Sequence, residues 1–97
     1  MFTVADLKKE LRDGAYAWPG GYPKYFIQSG GDAISFDAVK ANFRTIIEAM
    51  TTERDRSGWA VVGVDCNWED PELYCSVTNK RIESAYAEPD QTADINQ

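Results

Sequence analysis

Hydrophobic positions follow a helical period at two places along the chain. Val4, Leu7 and Leu11 share one face of a predicted helix that runs to about Asp13, while Lys8, Lys9, Glu10 and Arg12 face outward. Thr3 stands at its N-cap with Asp6 in the reciprocal capping position; Phe2 is placed to staple against Leu7, and Gly14 ends the helix. The longer stripe comprises Phe36, Val39, Phe43, Ile46, Ile47 and Met50, at offsets 0, 3, 7, 10, 11 and 14. It predicts one helix over residues 36–51, capped by Ser35. The polar positions Asp37, Lys40, Asn42, Arg44 and Glu48 read as its solvated face.

Elsewhere the pattern is that of strands. Lys24–Gln28 has strand composition, Ser29-Gly30-Gly31-Asp32 can turn, and Ala33-Ile34-Ser35 can return as a hairpin arm. Before it, Tyr16-Ala17-Trp18-Pro19-Gly20-Gly21-Tyr22-Pro23 reads as an irregular aromatic loop, because two prolines and a glycine pair oppose helix and central strand. Residues 59–66 are rich in β-branched side chains and predict a buried strand. Asn67–Pro71 is a loop, and residues 73–77 and 81–86 are strands about a turn at Thr78-Asn79-Lys80, closing a three-stranded antiparallel meander. The expectation is an α+β domain of order α-β-β-α-β-β-β, with the main helix packed on one face of an antiparallel sheet and the other face partly bare. Residues 1–87 form this single domain, and 88–97 form a polar tail without order.

Length and composition narrow the class. The chain has 97 residues and 10.9 kDa, enough for one modest core. Asp6 and Glu10 lie where an export signal would be uncharged, and no run is long enough to span a bilayer, so a cytoplasmic protein with no membrane partner is expected. In that compartment Cys66 and Cys75 are expected as free thiols.

The chemistry open to the chain is limited. It has no histidine, and so lacks the commonest general base and metal ligand. Glu69 and Asp70 follow Cys66 and would raise its pKa rather than activate it. No phosphate-binding loop, dinucleotide fingerprint or nucleophile elbow occurs. Asp65, Glu69, Asp70 and Glu72 can in principle hold a divalent cation or act as acid and base, which keeps a carboxylate metalloenzyme as an alternative, although an exposed acidic loop is the favoured reading. The reading therefore assigns no catalytic group, metal or cofactor. Tyr16, Trp18, Tyr22, Tyr25 and Phe26 are the right types to stack on unpaired bases, but the basic groove that such binders need is missing.

Charge is distributed unevenly. Residues 1–49 carry six bases and six acids, whereas residues 50–97 carry four bases and ten acids, so the whole net charge of −6 sits in the second half. If the meander forms, the carboxylates of Asp65, Glu69, Asp70, Glu72, Glu83 and Glu88 come together on neighbouring strands, with Trp68 as an aromatic anchor among them. Such a surface keeps a protein soluble, and it also steers toward a lysine- and arginine-lined target.

Tyr16–Pro23, Asn67-Trp68-Glu69-Asp70-Pro71 and Ile82-Glu83-Ser84-Ala85-Tyr86-Ala87-Glu88 resemble segments of a family of small acidic proteins from bacteriophages and prophage accessory regions, over about residues 2–88. Where relatives carry a His-Thr-Gly type turn after the second cysteine, this chain has Val77-Thr78-Asn79-Lys80. Small acidic phage proteins include inhibitors of host defence such as anti-CRISPR proteins, so the resemblance implies a host setting and no particular site. Together these features give the expectation of a non-enzymatic binding module whose partner is a basic host protein or ribonucleoprotein complex, with no direct nucleic-acid contact. Asp65, Trp68, Glu69, Asp70, Glu72, Glu83 and Glu88 are its expected contact residues. The alternative is a phage structural or assembly adaptor working through the bare sheet face or the aromatic loop.

Overall fold

The computed structural model describes residues 2–17 and 20–85. Its elements are α1 (Val4–Asp13), β1 (Tyr16–Ala17), β2 (Tyr22–Gln28), β3 (Ala33–Ile34), α2 (Phe36–Ala41), α3 (Phe43–Thr51) and β4 (Val61–Cys66). The fold is α+β with an antiparallel sheet. β2 is its central strand, pairing with β4 along one edge and with β1 and β3 along the other.

α1 begins as its sequence predicts. The Asp6 N–H donates to Thr3 Oγ1 at 3.1 Å and the Thr3 N–H to Asp6 Oδ2 at 2.9 Å, a reciprocal capping box that satisfies two otherwise orphaned donors. Those bonds hold the exposed Asp6 carboxyl below its usual pKa. At the other end the Gly14 N–H donates to Glu10 O at 3.0 Å. Phe2 reaches past the cap to meet the Phe26 ring edge-on, with centroids 6.4 Å apart.

Phe26, at the middle of β2, organises the core. It is fully buried and stacks on Phe36 at 4.2 Å, and Leu7, Ile34, Val39, Ile46 and Val61 are among the residues that join the cluster. Burying a side chain of this size contributes about 2–3 kcal/mol. On the same face Lys24 Nζ lies 5.5 Å from the centre of the Phe36 ring and pairs with Glu10 Oε1 at 2.8 Å, so the ammonium keeps a partner where it is largely covered. Strand alternation puts Tyr25 and Ile27 on the opposite face, beside their cross-strand partners Asp65 and Gly63.

Three features depart from the sequence expectation. The stripe over 36–51 is buried as its period requires, but two helices meet at Asn42, where φ is −116° and ψ is 27°. The Asn42 Nδ2 donates to Ala38 O at 2.9 Å while its N–H is shared between Ala38 O and Val39 O. A short amide bonding back one turn competes with the helical ladder, so Asn42 forms a joint rather than a passive part of the solvated face. Second, Tyr16–Pro23 is not wholly irregular, since Tyr16 pairs with Pro23 and Ala17 with Tyr22. Pro23 is tolerated because it sits near the start of β2, where it accepts from the Asn67 N–H at 2.9 Å and owes nothing in return. The Asn67 carbonyl, which a residue other than proline would serve, instead accepts the Ala85 N–H at 2.9 Å. Gly20 is required here, because its φ of 111° is left-handed and a Cβ would lie 2.6 Å from the Tyr22 ring.

Third, residues 73–85 do not extend a meander from β4, and Tyr86, the end of the expected last strand, lies outside the described residues. Among the described residues they contribute one isolated bridge, between Tyr74 and Arg81, about a turn in which Asn79 has a φ of 61°. The backbone bonds go elsewhere: the Ser76 N–H donates to Ala33 O on β3, the Ile82 N–H to Leu73 O and the Cys75 N–H to Lys80 O. The segment lies alongside the far arm of the hairpin and returns beside Asn67, and Cys75 and Ile82 are its buried contributions to the core. The expected tail of 88–97 lies outside the described residues.

Candidate functional site

Asn67 builds the acidic end of the molecule. It follows β4 directly and is 3% exposed. Its Nδ2 donates to Asp70 O at 3.0 Å, Ile82 O at 3.2 Å and Glu83 O at 3.1 Å, while Oδ1 accepts the Asp70 N–H at 3.2 Å. One amide thus closes the 67–70 turn on itself and ties residues 82–83 to it. Asp70 extends the turn by accepting the Glu72 N–H through Oδ1 at 2.9 Å.

Closing the turn leaves Trp68 at the surface, 44% exposed, with its ring 4.7 Å from Tyr22 and tilted by 56°. Tyr16, from the neighbouring strand, donates its hydroxyl to Glu83 Oε1 at 2.7 Å. The aromatic hairpin and the acidic loop, read from the sequence as separate features, are therefore one surface. A groove of about 410 Å³ runs between them, lined by Gly20–Pro23 and by Glu83, Ser84 and Ala85.

The expected contact residues are placed as follows. Asp65 lies on β4 opposite Tyr25, and its Oδ1 accepts the Cys66 N–H at 2.8 Å. Glu69, Asp70 and Glu72 occupy the turn after Asn67, and Glu83 lies on the strand-like return beside it; all are exposed. Asp65 and Asp70 act on the same phenol: burial, then these two carboxylates, raise the pKa of Tyr25. Among the described residues none of Asp65, Glu69, Asp70, Glu72 and Glu83 forms an ion pair, and the two pairs present, Lys9 with Asp13 and Lys24 with Glu10, are in the first half of the chain. Glu88 lies outside the described residues. Asn67 is absent from the expected contact residues, and Tyr16 and Tyr22 entered the sequence reading only as part of a separate aromatic loop. The available signal was the spacing of Asn67 to Asp70, which suits an Asn side chain closing its own turn.

Among the described residues no three His, Cys, Asp or Glu side chains group so as to hold a metal ion. Both cysteines are free thiols. Burial pushes Cys66 up, and the charges that add to it are Asp65 and Glu10, opposed by Lys24, rather than the expected Glu69 and Asp70. For Cys75 burial also acts upward, but hydrogen bonds from Thr78 and from the Ser35 N–H, 3.4 Å from Sγ, outweigh it and bring the thiol down to about 7. With no exposed surface, that sulfur has no route to a substrate. No helix among the described residues is long and apolar enough to cross a membrane. Comparison with protein-family models, with curated proteins and with solved structures returns no match for this chain.

Proposed function

We propose that this protein is a non-enzymatic binding module that occupies a lysine- and arginine-rich surface, of the kind that otherwise holds nucleic acid, on a host defence complex. The observation that carries the reading is the set of exposed carboxylates of Asp65, Glu69, Asp70, Glu72 and Glu83, without ion-pair partners among the described residues, together with the exposed Trp68 ring against Tyr22. Carboxylates left without cations of their own keep their field for a partner, and an exposed Trp beside them supplies apolar contact area that charge alone lacks. The host setting rests on the likeness of residues 16–23, 67–71 and 82–88 to small phage proteins.

The test is affinity capture from lysates of bacteria that carry nucleic-acid-directed defence systems, run at low and high salt with the wild type and with a Glu69→Lys/Glu72→Lys double variant. Among the described residues neither of those side chains forms a hydrogen bond or an ion pair, and both residues are exposed, so the fold should survive their reversal. The expected result is a nucleic-acid-binding complex retained at low salt, released at high salt and lost with the double variant. Capture of a virion or assembly protein that resists high salt would instead support the adaptor role and remove the electrostatic one.

A further inference from the structure

The geometry of β4 points to how a basic partner is held, an inference that rests on the reading just given. The register Lys24–Cys66, Tyr25–Asp65, Phe26–Val64 and Ile27–Gly63 is regular, and the Asn67 N–H donates to Pro23 O on β2. Asp65 and Gly63 therefore also direct their backbone groups toward β2, and Val64 directs its N–H and C=O to the far edge. Among the described residues nothing pairs with that edge.

The edge is short and has defined ends. At one end the Asp65 carboxylate already takes the Cys66 N–H. At the other, the register shifts between Ile27 and Gln28, which sets a bulge in β4 between Val61 and Gly63. These features block open-ended sheet growth and leave one register for a short added segment.

The two faces beside the edge differ in chemistry. On the face away from the helices lies Asp65, with Asp70 close enough to act on the same Tyr25, and the space above Gly63 is open, since a Cβ there would meet nothing within 4 Å. On the helix side a groove of about 480 Å³, lined by Phe2, Met50, Val61 and Val62 among apolar residues and by Arg54 and Asp55 among polar ones, borders the start of β4, and Val62 is 52% exposed. We propose that a short extended segment of the basic partner adds to β4 at Val64, laying lysine or arginine over Gly63 toward Asp65 and an apolar side chain into the groove beside Met50. A second copy of this chain is a poorer occupant, because it brings the same charge of −6 to an acidic edge.

The probe is a short synthetic peptide alternating lysine and valine, with a control of the same composition in which the lysines and valines are segregated. In the wild type the alternating peptide should slow hydrogen exchange of the Val64 amide and bind more tightly than the control. Val64→Pro removes an outward N–H and no bond to β2, and Gly63 before it relieves the steric conflict that usually precedes proline. This variant should bind the alternating peptide roughly tenfold more weakly. Unchanged exchange at Val64 under saturating peptide, or full affinity in a folded Val64→Pro protein, overturns strand addition. If the Glu69→Lys/Glu72→Lys variant loses that same binding, the acidic reading survives alone. Protection of Val64 that grows with protein concentration in the absence of peptide would show self-pairing and also overturn the proposal. Protection by the alternating peptide that ignores both salt and charge reversal would overturn the acidic reading and the basic character assigned to the added strand.

Discussion

Residues 2–66 and residues 67–85 are held in place by different means. Among the described residues the first stretch contains every helix and strand, and apolar burial around Phe26 governs it. The second has no regular element and only Cys75, Ile82, Asn67 and Ser84 buried; it is fastened by single polar groups, Asn67 at one end and Ser76, whose hydroxyl donates to the Gln28 carboxamide at 3.0 Å, at the other. Burial spreads over many contacts and tolerates small changes, whereas a polar fastening depends on one donor with nothing to replace it. The candidate site lies on the fastened stretch and on the hairpin it touches, so its shape depends on a handful of hydrogen bonds rather than on the core.

The contrast can be broken most forcefully at its apolar end. Phe26→Ala should cost about 3–5 kcal/mol, a large share of the stability of a domain this size, and chemical denaturation should show a global loss. Asn67→Ala leaves the Asp70, Ile82 and Glu83 carbonyls without their donor and should cost roughly 2–3 kcal/mol. Its signature is local: the Ile82 and Ala85 amides should exchange faster while those of β2 keep their protection. Equal acceleration in β2 would mean that the two stretches unfold as one unit. An effect of similar size, about 2–3 kcal/mol across the full range, is expected as a pH dependence. The folded Cys75 pKa, about 7 against an ordinary 9.0, means that the unfolded chain keeps its proton longer, so this thiol's stabilisation is complete above pH 9 and is lost as pH falls through 7. Denaturation of Cys75→Ala beside the wild type between pH 7 and 9 should show that rise removed. Cys66, raised in the fold, acts with the opposite sign above pH 9 and remains in both proteins as a shared background.

What the sequence disclosed follows the same division. Period and caps placed α1, the 36–51 stripe and the strand ending at Cys66, because each depends on neighbours within a turn or two. The joint at Asn42 was less visible, since a polar residue on a solvated face looks the same whether its amide points to water or to Ala38 O. Residues 73–86 have strand composition, but strand pairing is decided by partners far along the chain, and the Ser76 N–H finds Ala33 where the meander required β4. The acidic character of the second half was legible from composition. Its meeting with Tyr16 and Tyr22 was not, because that meeting depends on Asn67 reaching residues 82–83.

Pro23 shows how little such an arrangement can hinge on. A ring nitrogen without hydrogen leaves a vacancy across from Asn67, and the chain's last described residue fills it. Any other amino acid there would supply a rival donor, and the return of the chain toward the acidic turn would have to compete for a place that the proline leaves open.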